Sequence, residues 1–387
     1  MVSMTKIAYI IRPAEGGMLK HLLDLLRLID RSRFKPIVLS PPGNNLTKPL
    51  GELDVELIEV AIADKPSLAR DVGSVAKLAT ALTATGPGLI HVHSNKAALL
   101  TEMAARRAGM TTPIVFSMHN FPSYMSSGGL KKVAASLAMR RIINRAERLI
   151  VVSESLKRFM VDKEKADPEK ISVIHNGLDF SAWQKRLAAA DAADLRAVLG
   201  IPANDFVVGT LGRLIPSKGH DILINAMPEL VHKFPGIRLV IAGSGPLDRR
   251  LKEQTATLGL DGSVVFPGHV DDPAPYYKMF DAFVMPTVME SFGLAVIEAM
   301  TAGCPVAASR TGGLPEIIEN RETGLLFTPG DSRAVAAAIR TIAADKKAAR
   351  QLGEAGRRSV KERFTLDAMV AETEKVYEKA AGPQAVN

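Results

Sequence analysis

The sequence predicts an α/β fold with two doubly wound parallel sheets, and two observations carry that prediction. Short, continuously apolar segments recur along the chain, and such segments are typical of strands that are buried on both faces of a parallel sheet. Amphipathic segments with helical spacing separate most of them, as in the strand Leu89–His93 and the helix Asn95–Arg107 that follows it. Strands and helices that alternate in this way indicate a doubly wound layer.

Each predicted element follows from one of these two patterns. Apolar runs predict strands in the first half of the chain at residues 6–11, 36–40, 55–60, 89–93, 113–118, 149–153 and 171–174. In the second half they predict strands at residues 206–211, 238–242, 263–267, 282–285, 305–308 and 324–327. Helical spacing predicts helices at residues 69–85, 95–107, 154–161, 221–231, 331–344, 346–363 and 365–381, and another after the first strand, where Leu19, Leu22, Leu23 and Leu26 share a face.

The strand pattern is interrupted once, which indicates a domain boundary. Residues 175–179 have the composition of a turn, and residues 181–199 are rich in alanine and charge without a strand pattern. Strands restart at Phe206–Leu211. We therefore expect an N-terminal domain of residues 1–178, a C-terminal domain of residues 179–364, and a helix over residues 365–387 that crosses back to the first domain.

The composition is that of an ordinary globular chain. Its 387 residues, 47% of them apolar and 23% charged, are enough for two hydrophobic cores. Cys304 is the only cysteine, which excludes a disulfide framework and leads us to expect a reducing, cytoplasmic compartment. The N-terminus lacks the pattern of a signal peptide, and no apolar run approaches the roughly 20 residues that span a bilayer.

Positive charge is the second feature of the composition. The formal net charge of +8 favours an anionic partner, while the aromatic content of 5% argues against stacking on single-stranded nucleic acid. Residues 130–150 predict a helix with an apolar face and an opposite arginine face. The arginine face is either a solvated surface or a contact with an anionic membrane leaflet, where each basic residue contributes about 1 kcal/mol. The apolar face holds Met139, Ile142, Ile143 and Ala146, and the arginine face holds Arg140, Arg141, Arg145 and Arg148.

Polar residues follow the strands of the first domain, where ligands of doubly wound sheets gather. His93 ends one predicted strand and His119 directly follows another, and His119 is either a hydrogen-bonded structural residue or a catalytic one. Gly16 and Gly17, between the first strand and the first helix, either form a tight turn or let a phosphate or sugar approach the backbone. The G-x-G-x-x-G pattern is absent there, which argues against a NAD-dependent oxidoreductase.

The second domain has a basic loop after its first strand. Arg213 and Lys218 lie on a glycine-flanked segment, residues 212–219, just before the helix predicted at residues 221–231. An arginine fork and a lysine point charge in this position suit a diphosphate. The alternative is that both side chains are solvated surface charges.

The segment of residues 285–300 predicts an anion site between two acids. A strand ends before Glu290, the residues Ser291, Phe292 and Gly293 form a small loop, and a helix containing Glu298 begins at Leu294. Unpaired backbone N–H groups and the helix dipole favour an anion there. The carboxylates suit neutral hydroxyls, so a phosphate joined to sugars on both sides would satisfy the whole arrangement. Glu316, after Gly312 and Gly313, either favours its helix N-terminus or helps to hold a ligand.

These motifs resemble those of the retaining glycosyltransferases of family 4, which have the GT-B fold of two Rossmann-like domains facing across a cleft. The resemblance covers nearly the whole chain, and its most specific part is a pair of glutamates eight positions apart with S-F-G between them, preceded by the Arg/Lys loop. The segments that carry it are Gly16-Gly17, residues 150–155, 174–179, Gly212-Arg213, Lys218-Gly219, 290–298 and 312–316.

The resemblance implies that the chain moves a sugar from a nucleotide diphosphate to an acceptor. Glu290 would bind donor-sugar hydroxyls, Glu298 the ribose, and Arg213 with Lys218 the diphosphate leaving group. It also implies supporting roles for backbone amides around Phe292 to Leu294, for Gly268, His269 and Val270 beside the base, for Gly16, Gly17 and His119 from the first domain, and for Glu316. Neither a metal ion nor another cofactor is implied. We expect a UDP-sugar, a glycan or lipid-linked acceptor in cell-surface polysaccharide synthesis, and a cytoplasmic protein, peripheral on the inner face of the membrane if the arginine face binds there.

Four other functions remain open at this point. A sugar-nucleotide epimerase would use the same nucleotide site without an acceptor, and a phosphorylase of the same fold would need a pyridoxal lysine that no motif indicates. A non-catalytic nucleotide-sugar-binding protein would keep the fold, although the intact Arg213, Lys218, Glu290 and Glu298 argue for catalysis. A NAD-dependent oxidoreductase has the weakest support.

Overall fold

A computed structural model describes residues 4–12, 17–43, 45–62, 68–122 and 128–382. The chain divides into two compact units. Unit 1 comprises Met1–Gly177 and Leu366–Asn387, and unit 2 comprises Leu178–Thr365. The division falls one residue from each expected boundary. Gly16, one of the expected ligand-side glycines, lies outside the described residues.

Unit 1 is a parallel α/β sheet whose strand order is β3-β2-β1-β4-β5-β6-β7. The strand order reverses between the neighbouring strands β1 and β4. The loops that follow these two strands therefore start next to each other and lead to opposite faces of the sheet. Its strands are β1 (Thr5–Ile11), β2 (Phe34–Ser40), β3 (Glu56–Glu59), β4 (Leu89–His93), β5 (Ile114–Met118), β6 (Arg148–Val151) and β7 (Ile171–Val173). Its helices are α1 (Gly17–Leu28), α2 (Thr47–Glu52), α3 (Leu68–Thr85), α4 (Asn95–Arg107), α5 (Gly129–Arg145) and α6 (Glu154–Asp162), together with the C-terminal helix α16 (Leu366–Ala381).

The C-terminal helix α16 belongs to the core of unit 1. Val370 and Tyr377 are buried in the same apolar cluster as Ile7 of β1 and Leu22 and Leu26 of α1. The helix therefore packs against the first strand and the first helix of this unit, from which it is separated by nearly the whole sequence.

Unit 2 repeats the architecture with the strand order β10-β9-β8-β11-β12-β13. The order reverses between β8 and β11, and the apolar strands are covered by helices on both faces. Its strands are β8 (Phe206–Leu211), β9 (Ile237–Ala242), β10 (Val264–Gly268), β11 (Ala282–Met285), β12 (Val306–Ser309) and β13 (Leu325–Phe327). Its helices are α7 (Phe180–Ala189), α8 (Ala192–Val198), α9 (His220–Lys233), α10 (Asp248–Thr257), α11 (Ala274–Met279), α12 (Leu294–Thr301), α13 (Leu314–Ile317), α14 (Ser332–Ala344) and α15 (Lys346–Arg363).

The prediction of two parallel α/β sheets is confirmed, and the differences concern helices. Helices α7 and α8 occupy the segment that the sequence left without a pattern, and α10 was not predicted because only Leu251 and Thr255 of its residues are buried.

Arg148 was expected on the arginine face of a helix, and this prediction is wrong. The helix ends at Arg145, Ala146 has extended backbone dihedrals, and Arg148 begins strand β6, because the apolar run that follows it is buried in the sheet. Among the described residues, no helix combines the length and the apolar character needed to cross a bilayer.

Candidate functional site

The strand reversal in unit 2 brings together the loops that follow β8 and β11. We call residues 212–219 the β8 loop and residues 286–293 the β11 loop. The carbonyl oxygen of Ser217 accepts hydrogen bonds from the backbone N–H of Val288 at 2.9 Å and from the hydroxyl of Thr287 at 2.7 Å. Two segments about 70 residues apart in sequence are thereby held side by side at the carboxyl end of the sheet.

Lys218 and Glu290 meet where these two loops touch. The ammonium Nζ of Lys218 donates to Oε2 of Glu290 at 2.6 Å, and the two side chains are only 21% and 12% exposed. The other carboxylate oxygen of Glu290 accepts the backbone N–H of Ser291 at 3.2 Å. The sequence predicted both residues as donor-binding, and the structure places them in direct contact.

Arg213 lies on the same loop with an exposed side chain, and its backbone is held by a histidine that the sequence analysis missed. Nε2 of His220 lies 3.2 Å from the carbonyl oxygen of Arg213, which can only accept, so Nε2 carries the hydrogen. Within the described part of the chain, Nδ1 of His220 is buried without a hydrogen-bond partner. Burial lowers the pKa of His220 from 6.5 to about 4, so the ring is neutral.

Glu298 is positioned by two buried aromatic residues. Its carboxylate oxygen Oε2 accepts a hydrogen bond from the Tyr277 hydroxyl at 3.1 Å, and its carbonyl oxygen accepts one from Nε1 of Trp183 at 3.2 Å. Burial, together with the charge of Glu298, raises the pKa of Tyr277 well above 10, so this hydroxyl stays a donor. Tyr277 and Trp183 lie 21 and 115 residues from Glu298, and no local motif relates them to it.

Glycines allow the site loops to pack on one another. Gly219 and Gly312 have φ angles of +66° and +56°, and a Cβ atom on them would overlap the carbonyl oxygens of Pro286 and Glu290 respectively. The N–H of Gly313 also donates to the carbonyl oxygen of Glu290 at 3.3 Å. From the sequence these glycines were expected beside a ligand, whereas the contacts that they make are between loops.

The other predicted donor residues of unit 2 follow the same end of the sheet. Ser291 and Phe292 are buried, and the Phe292 ring packs edge-on against Phe364 at 5.7 Å, so only its backbone can face a ligand. Gly293 precedes α12, which begins at Leu294 as predicted. Gly268 ends β10, and its carbonyl oxygen accepts a hydrogen bond from the N–H of Gly243 at 2.7 Å. His269 and Val270 follow it, and the His269 ring is 73% exposed beside Asp271. Glu316 is half-buried in the first turn of α13.

In unit 1, three histidines converge at the carboxyl ends of β4 and β5. His93 ends β4, His119 follows β5, and Nδ1 of His93 lies 3.0 Å from Nε2 of His119. The ring of His21 from α1 packs edge-on against His119 at 4.6 Å, and its Nδ1 lies 3.0 Å from Oδ1 of Asn176. Burial lowers the pKa of His21 to about 4 and the pKa values of the other two well below 6.5. Gly17, the described member of the glycine pair, is the exposed first residue of α1.

A fourth histidine connects this region to the C-terminal helix. Nδ1 of His91 lies 2.6 Å from the Tyr377 hydroxyl, and Nε2 of His91 lies 2.7 Å from the Ser117 hydroxyl. The Tyr377 hydroxyl is also 3.1 Å from that of Tyr9. No sequence motif predicts His21, His91 or Tyr377 as part of a site, because their contacts join distant segments.

Both regions lie in parts of the chain that match known protein families. Residues 15–182 match the family Glycosyltransferase Family 4, and residues 191–359 match the family Glycosyl transferases group 1. The chain is a GT-B protein of the glycosyltransferase group 1 and family 4 type. Both matches, taken together, include the histidine region of unit 1 and the loops of unit 2.

The chain matches only part of the length of its curated relatives. A D-inositol 3-phosphate glycosyltransferase of Streptomyces bingchenggensis is 32% identical over 309 residues, which are 76% of this chain and 66% of the relative. An uncharacterized glycosyltransferase of Methanocaldococcus jannaschii is 32% identical over 234 residues, 60% of each chain. The matches therefore span less than two thirds of these curated relatives.

Solved structures also match almost the entire chain. HepE of Anabaena in complex with UDP and glucose has a TM-score of 0.83 and 25% identity, and the match covers 96% of this chain and 99% of that one. A sucrose-phosphate synthase from Thermosynechococcus elongatus has a TM-score of 0.81 and 24% identity, with 96% and 98% covered, which is a likeness of fold.

Replacement of Gly312 by alanine tests the loop packing. We expect Gly312→Ala to lower the free energy of unfolding by about 1–3 kcal/mol more than Gly259→Ala, because only at position 312 does the new Cβ displace a neighbouring backbone. Gly259 is the matched control, since its φ of +66° is similar and a Cβ added there would have no neighbour within 4 Å. Urea unfolding followed by circular dichroism measures both, and equal losses would contradict the packing argument.

The buried His220 predicts a pH dependence of stability. The unfolded chain takes up this proton near pH 6.5, whereas the native ring stays neutral down to about pH 4. Between these values the unfolded state binds more protons, so the free energy of unfolding falls as the pH decreases, by up to about 1.4 kcal/mol per pH unit for this group. Urea titrations from pH 7 to pH 5 should show a smaller slope for His220→Gln. The slope should be unchanged for His232→Gln, at an exposed position of α9, and identical slopes in all three proteins would refute the assignment.

Proposed function

We propose that the protein is a retaining glycosyltransferase that moves a sugar from a UDP-sugar to a glycan or lipid-linked acceptor. The observation that carries this proposal is the Lys218–Glu290 ion pair, built on glycine-packed loops at the strand reversal of unit 2. Family membership supports the reaction class, and the HepE complex with UDP and glucose supports the choice of nucleotide. Synthesis of a cell-surface polysaccharide is the proposed setting.

The ion pair suggests how the site changes when donor binds. Without donor, Lys218 and Glu290 neutralise each other, which removes the cost of two partly buried unpaired charges. A diphosphate offers the ammonium a more highly charged anion and the guanidinium of Arg213 a two-pronged partner. Glu290 then has a carboxylate oxygen to accept hydrogen bonds from sugar hydroxyls, while the Tyr277 hydrogen bond holds Glu298 for the ribose.

The charges also account for the proposed transfer step. As the bond from the anomeric carbon to the phosphate oxygen breaks, negative charge grows on the diphosphate, which Lys218 and Arg213 stabilise. The acceptor oxygen bonds to the anomeric carbon on the same face, and its proton passes to the leaving phosphate. The proposed chemistry needs no metal at the diphosphate, because the side chains supply the positive charge. The place of His119 beside the sugar, which the family resemblance implies, remains a prediction.

A donor screen tests this function. Thermal shift and hydrolysis across UDP-, GDP- and ADP-sugars should select a UDP-sugar, and Lys218→Ala should lower its kcat/KM about 10²–10³-fold. Glu290→Gln should reduce transfer far more than affinity for UDP. Lys252→Ala is the matched control, since Lys252 forms an exposed ion pair with Asp248 on α10. Circular dichroism verifies that each variant is folded. Turnover by Lys218→Ala equal to that of the control, with every donor that binds, would exclude the assignment of the diphosphate site.

We also propose that α5 contacts an anionic membrane surface, by a different set of residues from the one expected. Arg141 donates to the buried Glu102 at 2.6 Å, and Arg145 donates to the carbonyl of Thr112 at 3.0 Å, so both have structural contacts. Arg140 is exposed. The same helix has a ridge of apolar side chains at helical spacing, and its sequence contains no acidic residue. The ridge consists of Leu130, Val133 and Leu137, which are 88%, 57% and 61% exposed.

Vesicle sedimentation tests the membrane contact. We expect binding to phosphatidylglycerol vesicles, little binding to phosphatidylcholine, and loss of binding toward about 1 M salt, where the Debye length falls to about 3 Å. Leu130→Asp combined with Leu137→Asp should reduce binding at least about tenfold, because two leucines no longer enter the interface. Val198→Asp is the control, since Val198 is 73% exposed on α8 of unit 2. Binding that ignores lipid charge, or an equal loss with the control, would rule out this surface.

A further inference from the structure

A pocket of about 360 Å³ opens on unit 2 among helices α7, α11, α12 and α15, and we call it the α7 pocket. Its volume lies within the range of small-molecule sites in proteins. Its lining combines an apolar part, which includes Leu187 and Ala302, with polar side chains, which include Gln184, Lys278 and Arg357. Among the described residues that line the pocket, none is acidic.

Two cationic side chains line this pocket with hydrogen-bond donors to spare. Nζ of Lys278 donates to the carbonyl oxygen of Ala190 at 2.7 Å, at the C-terminal end of α7. That contact uses one of the three ammonium hydrogens and keeps the charge beside the pocket. The exposed guanidinium of Arg357 has neither a hydrogen bond nor an ion pair within the described part of the chain, so all of its donors are available.

This set of side chains suits a phosphate group. Arg357 can bind two phosphate oxygens side by side, and Lys278 can neutralise the remaining charge. Because both line a pocket of this size, a single small ligand can reach them. The amide of Gln184 can both donate to hydroxyl groups and accept from them. The α7 pocket is therefore suited to a small phosphate monoester whose organic part carries hydroxyl groups.

Residues of the α7 pocket are directly joined to those that hold Glu298. The backbone N–H of Ala302 donates to the Glu298 carbonyl oxygen at 3.1 Å. The same carbonyl oxygen accepts from Nε1 of Trp183, the residue before Gln184. Lys278 directly follows the tyrosine whose hydroxyl donates to the Glu298 carboxylate. A ligand that fixes the lining of the pocket therefore also fixes the groups that position Glu298.

We propose that the α7 pocket binds a small phosphate monoester and that this ligand strengthens nucleotide binding at Glu298. Helix α12, which carries Glu298, packs against α7 and α15. A phosphate held by both Lys278 and Arg357 would join α11 to α15 and restrict the helices around α12. Less motion then remains to be lost when a nucleotide binds, which is a source of positive cooperativity. The second part of the proposal rests on the proposed function, whereas the first part does not.

The fluorescence of Trp183 tests the pocket. Trp183 is the only tryptophan of the chain and directly precedes Gln184 of the lining. Glycerol 3-phosphate, added to the full-length protein, should change its emission saturably, and glycerol, which lacks the anionic group, should not. Isothermal titration calorimetry measures the same Kd independently of the fluorophore. Binding weaker than about 10 mM by both methods would overturn the proposal.

Variants on one helix locate the phosphate. Arg357→Gln should raise the Kd of glycerol 3-phosphate at least about tenfold, because the two-pronged partner is lost. Arg358→Gln is the matched control, since Arg358 is the exposed neighbour of Arg357 on α15 and does not line the pocket. Lys218→Ala should also leave this Kd unchanged. Equal losses in the two arginine variants, or a loss with Lys218→Ala, would place the phosphate elsewhere and refute the site.

Nucleotide binding tests the second part of the proposal. Saturating glycerol 3-phosphate should lower the Kd of UDP about fivefold in the wild-type protein and leave it unchanged in Arg357→Gln. Linkage requires UDP to lower the Kd of glycerol 3-phosphate by the same factor. A Kd of UDP that stays the same or rises in the wild-type protein would refute the coupling. If UDP does not bind at all, the proposed function fails, and the titrations of Trp183 fluorescence still decide whether the pocket binds phosphate.

Discussion

The contact between the Lys218 ammonium and the Glu290 carboxylate is the interaction on which the arrangement of unit 2 depends. Both groups are largely removed from water, and either one alone would be an expensive partly buried charge. The two loops must therefore stay together, and the molecule achieves this with backbone contacts to Ser217 and with glycines where the chains approach most closely. The sheet order supplies the reason that these loops are neighbours at all, since β8 and β11 pair although about 70 residues separate them.

This constraint also bears on the proposed donor site. An ion pair that is complete in the free protein keeps the ammonium and the carboxylate in place, so the proposed donor binding would exchange partners and would not have to organise the loops. Preorganised charge of this kind is what stabilises a leaving group most effectively. The Tyr277 and Trp183 hydrogen bonds do the same for Glu298, whose carboxylate and carbonyl are both held in the free protein.

The sequence predicted the strands and helices, which depend on neighbouring residues, but not the contacts between residues that are far apart in the chain. Strands Phe206–Leu211 and Ala282–Met285 and the start of α12 at Leu294 were predicted at their observed bounds, because apolar runs and a glycine before a helix are local signals. The importance of Lys218 and Glu290 followed from their places after two strands, but their contact did not, since it depends on strand order. Tyr277 acts through a hydrogen bond to a side chain 21 residues away, and His220 acts through one to a backbone carbonyl of the preceding loop. Neither contact follows from a sequence motif. Arg148 was misplaced because helical periodicity continues past the residue where the helix ends.

In unit 1 the same reasoning gives the C-terminal helix a role beyond covering a core. A buried imidazole needs partners for both of its nitrogens, and His91 finds them in the hydroxyls of Ser117 and Tyr377. Tyr377 is supplied by α16, the last helix of the chain, and it also meets the hydroxyl of Tyr9 on the first strand. His91 lies two residues before His93 on β4, with its ring 4.1 Å from that of His93. The buried polar groups next to the histidine cluster therefore have their hydrogen-bond partners only when the first strand and the C-terminal helix are both in place. Helix α16 thus completes the surroundings of this cluster as well as covering the core.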